Sequence, residues 1–362
     1  MPPTIAIIGV GLIGGSLGLA FLRTGVGRVV GVSRPETLRK AIRIGAVEDG
    51  VPYGRMEEVL REAEVVFLCT PVRRILELLP EVLRSAEEGT VVTDVGSTKE
   101  RILACAEANL PEGVAFVGGH PMAGSEARGI EAADPFLFQN AVYALVPARG
   151  TPGWAVERMA GLVEQLGAHA ALLDAATHDR IVALVSHLPQ MVAVALVGLV
   201  GRIGKDEPLL LRMAAGGFRD MTRIASSPFE VWEDICRTNS FRIAEAIDLL
   251  IGELKQLKDI LEDPRLGEAF QFAGKTRGTI PKDAKGFLRP LYELRVMAED
   301  RPGVIAGIAV PLAEAGINIK DIEVLKVREG EGGTLRLAFG SPEDLERAVE
   351  ILKGRSFDVR VR

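Results

Sequence analysis

The chain has 362 residues, more than one hydrophobic core usually organises, so about two or three domains are expected. Hydrophobic residues make up 48% and charged residues 25%, the balance of a globular chain and not of a disordered or fibrous one. A formal charge of −6 speaks against nucleic acid or an anionic membrane as the main partner. The cysteines Cys69, Cys105 and Cys236 offer neither CxxC nor metal spacing, so a cytoplasmic protein with unpaired, buried thiols and no metal is expected.

Residues 4–22 are apolar but hold five glycines and no basic leader, which suits strand, turn and helix better than a signal peptide. Short β-branched runs follow at 4–9, 28–32, 65–70, 91–94, 115–118, 141–146 and 169–173. Helical periods such as 55–62 and 72–84 separate most of them. Strands alternating with helices predict a mainly parallel, doubly wound α/β sheet, a Rossmann-like domain over 1–174.

Gly9, Gly11, Leu12, Ile13 and Gly14 spell GxGxxG directly after the first strand and before a helix. The glycines serve the tight turn, the approach of a pyrophosphate and the close packing of helix on strand. The helix N-terminus then faces the phosphates, so these residues are read as cofactor-binding. NAD calls for an acid about 20 residues further on, to hold the ribose 2′-hydroxyl. The second strand instead ends in Ser33 and Arg34, which suit a 2′-phosphate, so NADP is favoured over NAD.

HPMAGSEARG, residues 120–129, lacks helical and strand period and reads as a loop headed by His120, one of four histidines. From 177 to about 261 the pattern is helical, giving a helical domain over 175–280. Within it, 182–201 is about as long as a bilayer is thick, but Ser186, His187, Pro189 and Gln190 favour a helix buried in a core or a subunit interface. Residues 262–288 read as a basic linker with Lys275, Arg277, Lys282 and Lys285. Over 290–362 the order strand, helix, strand, strand, helix, strand predicts a ferredoxin-like βαββαβ domain.

Taken together, GVGLIGGSLG, CTPV, VTDVGSTK, FVGGHPMAGSE, VSHLPQ and GGFRDMTRIASSPFEVWEDI resemble the prephenate dehydrogenases, in order and spacing, over about 4–260. After 290, EDRPGV and GIN resemble an ACT domain, a module that commonly binds amino acids. The resemblance implies oxidative decarboxylation of prephenate with NAD(P)+ in L-tyrosine biosynthesis, and the apolar stretch 192–200 suggests a homodimer built through the helical domains. It implies His120 as the catalytic base that takes the proton of the ring hydroxyl, oriented by Ser97. Arg223 would bind a substrate carboxylate, His187 and Ser125 would contact substrate, and Thr70 and Pro71 in CTPV would meet the cofactor. Arg219 joins them if its stretch is helical, one turn before Arg223 on the same face. Asp300, Gly303, Val304 and Asn318 would hold the effector, for which L-tyrosine is the candidate. The chain departs from many relatives at Ser33-Arg34, where an acid is frequent.

Arogenate dehydrogenase is the neighbouring alternative. A β-hydroxyacid dehydrogenase would need a catalytic lysine on the long helix, yet none precedes Lys205 after Thr177. A non-catalytic nicotinamide and amino-acid sensor has no use for His120, Ser97 and Arg223 together.

Overall fold

A computed structural model describes residues 3–124, 127–207, 209–280, 291–299, 301–328 and 332–361. The chain packs as two units, Met1–Leu261 and Glu262–Arg362. In the first, the strands are β1 (Thr4–Ile8), β2 (Arg28–Val32), β3 (Asp49–Val51), β4 (Val65–Leu68), β5 (Val91–Asp94), β6 (Ala115–Pro121), β7 (Val142–Pro147) and β8 (His169–Leu172). They form one sheet in the order β3-β2-β1-β4-β5-β6-β7-β8, parallel throughout except where β7 runs antiparallel to β6. The intervening helices are α1 (Leu12–Thr24), α2 (Pro35–Arg43), α3 (Met56–Leu60), α4 (Val72–Ser85), α5 (Glu100–Asn109) and α6 (Gly153–Gln165).

The central strands are apolar on both faces because both are covered. Alternate residues of β1 feed opposite cores: Ile5 and Ile7 join Leu17, Phe21 and Phe67, while Ala6 and Ile8 join Leu68, Ile75 and Leu79. Two sequence readings need correction here. The short edge strand β3 was not expected, since three residues with a central glycine show no period. His120 does not head a loop: β6 continues past Gly118, and His120 pairs with Ala144 of β7. The added partner strand, not local propensity, extends β6, and Pro121 falls at its end, where a missing N–H is tolerated.

The helical region comprises α7 (Ala175–Val182), a π-helical stretch Ala183–His187, α8 (Leu188–Ile203), α9 (Leu209–Arg212), α10 (Gly216–Thr222), a one-turn 3-10 helix Arg223–Ser226, α11 (Phe229–Thr238) and α12 (Ser240–Asp259). Within Ala175–Ile203 the most apolar 18-residue window has mean hydropathy 1.9, yet only 28% of that window is buried. The expected burial is therefore not inside this chain. Val194, Val197, Leu199 and Ile203 face outward.

The second unit holds α13 (Arg265–Thr279), β9 (Tyr292–Ala298), α14 (Val304–Glu314), β10 (Ile319–Arg328), β11 (Gly332–Phe339), α15 (Pro342–Gly354) and β12 (Val359–Val361). Its antiparallel sheet runs β10-β11-β9-β12, and Leu294, Val296, Ile308, Leu312, Leu337 and Phe339 form its core. This is the expected βαββαβ layout. The expected linker is in part α13, on which Lys275 and Arg277 lie; Lys282 and Lys285 are outside the described residues.

Candidate functional site

The carboxyl ends of β1, β2 and β4 meet at one edge of the sheet, where ligands of open α/β sheets bind. Gly9, Gly11, Ser33, Arg34, Thr70 and Pro71 line a cleft of ≈ 380 Å³ there, with Tyr53, Lys40 and Glu131 on its rim. Gly9 has φ +94°, and a Cβ at Gly14 would lie 2.2 Å from the Gly9 carbonyl oxygen, so Gly14 seats α1 against the turn. A Cβ at Gly11 would meet no atom of the described residues within 4 Å. Nothing in the protein demands glycine at that position; the space before it is open to a ligand. Thr70 Oγ1 is buried at the same cleft with no hydrogen-bond partner among the described residues. Leu12 and Ile13 do not line the cleft but begin α1, whose first amides suit a pyrophosphate. These features fit a dinucleotide. Across the rim, the Lys40 ammonium donates to Glu131 Oε1 at 2.6 Å and lies 3.5 Å from Glu36.

His120 follows Gly119, whose N–H donates to Asp94 Oδ1 at 3.2 Å. Asp94 ends β5 and also accepts from the Gly96 N–H at 2.8 Å and from the fully buried Lys99 ammonium. Burial pushes that ammonium below its ordinary value, against the raising effect of the Asp94 carboxylate. Ser97 sits half-buried in the turn that this cluster folds between β5 and α5. The ring of His120 bonds to His178, not to Ser97: Nδ1 lies 2.9 Å from His178 Nε2. His178 Nδ1 lies 2.8 Å from Asp179 Oδ1. Burial first, then the neighbouring His178, Lys99 and His187, hold the His120 imidazole well below 6.5, so it is uncharged at neutral pH.

His187 closes the π-helical stretch and is buried. Nine residues of regular α-helix would turn it about 180° away from His178. The wider π turns withdraw roughly one residue, about 100°, of that rotation. Asp179 and His187 then both meet Asn239, which donates to the Asp179 carbonyl at 2.9 Å and lies 3.3 Å from His187 Nδ1. Trp232 stands edge-on to His187 with ring centroids 6.0 Å apart. Burial pulls the His187 imidazole down to about 4.

Arg223 begins the 3-10 turn after α10 and is exposed in the single chain, where a partly dry pocket was expected. Gln190 of α8 donates to the Ile224 carbonyl at 3.0 Å and fastens this turn to the His187 helix. The α-helix that carries Arg219 ends at Thr222, before Arg223, and the Arg219 guanidinium donates to the Ala214 carbonyl at 3.2 Å. Ser125 and Asp300 lie outside the described residues. In the second unit a cavity of ≈ 210 Å³ is lined by Ala298, Glu299, Arg301, Val304, Ile305 and Val324, among others. Of the proposed effector residues it includes Val304 but not Gly303, whose φ is +87°, nor the exposed Asn318.

Sequence reading missed His178, Asp179, Asn239, Lys99, Tyr53 and Lys40. One signal was available: two of the four histidines fall within ten residues on one apolar helix, and the first is followed by an acid.

The fold and the site define a nicotinamide-dependent dehydrogenase of the Rossmann class. Family models described as the nucleotide-binding domain of prephenate dehydrogenase, its dimerization domain and the ACT domain match residues 17–172, 174–272 and 292–356. The chain is 37% identical to the prephenate dehydrogenase of Bacillus subtilis, over 98% of this chain and 97% of that one. The crystal structure of prephenate dehydrogenase from A. aeolicus with hydroxyphenyl propionate and NAD+ is 30% identical with a TM-score of 0.71, covering 76% of this chain and 97% of that one. Synechocystis arogenate dehydrogenase is 32% identical with a TM-score of 0.67, covering 76% and 98%. The chain belongs to the prephenate dehydrogenase family.

Proposed function

We propose that the protein is an NADP-preferring prephenate dehydrogenase that forms 4-hydroxyphenylpyruvate and carbon dioxide on the route to L-tyrosine. The observation that carries this reading is the half-buried, neutral His120 on the same sheet edge as the dinucleotide cleft. A nicotinamide dinucleotide in that cleft supplies the hydride acceptor. His120 Nε2 takes the proton of the ring hydroxyl as hydride leaves its carbon, so no positive charge accumulates there. The bond to the departing carboxylate breaks, its electron pair enters the ring, and the proton held on His120 returns to the ring oxygen. Ser97 orients the hydroxyl, His187 and Ser125 contact the substrate, and Arg223 pairs with a carboxylate through its planar fork.

Ser33 and Arg34 support NADP, since β2 ends without an acid for the 2′-hydroxyl of NAD. The likeness to Synechocystis arogenate dehydrogenase favours a second reading in which arogenate is the substrate. Steady-state assay of each substrate with each cofactor tests all of this. Prephenate with NADP should be the best pair, and Arg34→Ala should weaken NADP selectively. A strong NAD preference removes the cofactor assignment, and turnover of arogenate alone removes the substrate.

The outward apolar residues of α8, and the match to a domain described as dimerising, support a homodimer. Three free thiols suit a reducing, cytoplasmic compartment. The ACT match supports an amino-acid effector, for which we propose L-tyrosine. The intact enzyme should be inhibited by L-tyrosine and a chain ending after Lys285 should not; an intact enzyme indifferent to L-tyrosine overturns that role.

A further inference from the structure

We propose that His178 is a positioning residue that fixes the tautomer of His120. The argument is an account of donors and acceptors. Asp179 Oδ1 accepts from the Lys99 N–H at 2.7 Å and Oδ2 from the Glu100 N–H at 2.9 Å. A carboxylate so placed can only accept, so the hydrogen between it and His178, 2.8 Å away, belongs to His178 Nδ1. With its one ring hydrogen on Nδ1, His178 turns a bare Nε2 towards His120 Nδ1 at 2.9 Å. That contact requires His120 to carry its hydrogen on Nδ1. Its Nε2 is thereby left as the lone pair. The opposite tautomer would set two bare nitrogens against each other in a buried place, at the cost of an unmade hydrogen bond.

The same carboxylate caps the first turn of α5, directly after the turn that holds Ser97. One side chain thus sets the register of the base and of the loop expected to hold the substrate hydroxyl. When His120 accepts a proton at Nε2, its Nδ1–H becomes a stronger donor to His178, and the Asp179 charge stabilises the cation without itself taking the proton. Lys99, His178, Asp179 and His187 are the titratable groups whose fields reach these rings, and Asp94 holds Lys99 in place.

The proposal rests on His120 being the base, and its first test does not use activity. With four histidines in the chain, NMR of isotope-labelled histidine can resolve each ring and report which nitrogen carries hydrogen. In the wild-type protein at neutral pH, His120 should be the Nδ1–H tautomer and so should His178. An Nε2–H His120 overturns the proposal without any variant. Kinetics supply the second test. His178→Gln keeps an acceptor for His120 and a donor for Asp179, whereas His178→Phe keeps the ring shape and neither function. His178→Phe should lose kcat at least roughly tenfold, towards the roughly 10⁴-fold that a wrong tautomer costs a Ser–His–Asp triad. KM for prephenate and cofactor should hold, the acid limb of the pH profile should move, and His178→Gln should recover most of the loss. Equal losses in the two variants, or a loss confined to KM, would mean that His178 only packs. If instead His120→Asn keeps turnover, it is the assignment of the base that fails, and the tautomer result stands apart from it.

Discussion

His120 can act as a base only while one ring nitrogen is bare and the ring is uncharged. His120→Asn should fold, bind cofactor and lose turnover by roughly 10²–10⁴-fold, the usual worth of a positioned base. Because its imidazole is held well below 6.5, kcat/KM should be level above that pH and fall only on the acid side. A limb centred above 6.5 would point to another group. The glycines separate ligand from packing in the same way. At Gly14 an added methyl strikes the Gly9 carbonyl, so Gly14→Ala should cost about 1–3 kcal/mol of stability. At Gly11 it strikes nothing, so Gly11→Ala should melt like the wild type without cofactor yet bind cofactor weakly by calorimetry. Equal melting losses would remove the pyrophosphate from that turn.

Helices α4 and α5 have no side-chain cap of their own; they begin after Pro71 and Lys99. Their first amides are met from the helical region instead. Asp234 of α11 accepts from the Arg73 N–H at 3.0 Å, and Asp179 of α7 serves α5. Carboxylates suit the positive ends of these helices. Asp234→Ala should therefore cost about 0.5–2 kcal/mol in denaturant unfolding, as a lost cap does, although the two residues are 161 apart in sequence. Contacts of this kind mark the limit of what the sequence discloses. Strands β1, β2 and β5 and the glycine turn were legible, because β-branched runs and GxGxxG are local signals. His178 was not, since its meaning comes from a ring 58 residues away. Neither was the π-helical stretch, which follows no periodic pattern. The length of β6 was misread because β7 supplies the pairing, and Arg219 because a helix ends where spacing alone would continue it.

Two neutral imidazoles, His187 buried and His120 half-buried, also give the folded protein a dependence on acid. Above 6.5 His120 and His187 are uncharged whether folded or not, and they leave stability unchanged. Below it the unfolded chain gains protons that the folded one refuses, so stability falls as pH drops from 6.5 towards the folded value of His187, about 4. His187 alone contributes up to about 3 kcal/mol over that window. Denaturant midpoints measured from neutral pH down to about 4 should fall, and His187→Asn should flatten the slope. A midpoint indifferent to pH in that window would mean that these rings are solvated.

In the proposed homodimer, the outward apolar side of α8 would also make enzyme concentration a variable. A surface that stays wet in one chain and dry between two links folding to association, and mass action then sets the melting temperature. His187 and Gln190 lie at the start of this same helical stretch, so loosening it on separation would reach the residues proposed to face the substrate. Serial dilution should lower both the melting temperature and the specific activity, and the two should fall together at the concentration where light scattering reports single chains. Specific activity that stays constant through that transition would show that each chain holds its His187 helix in place unaided.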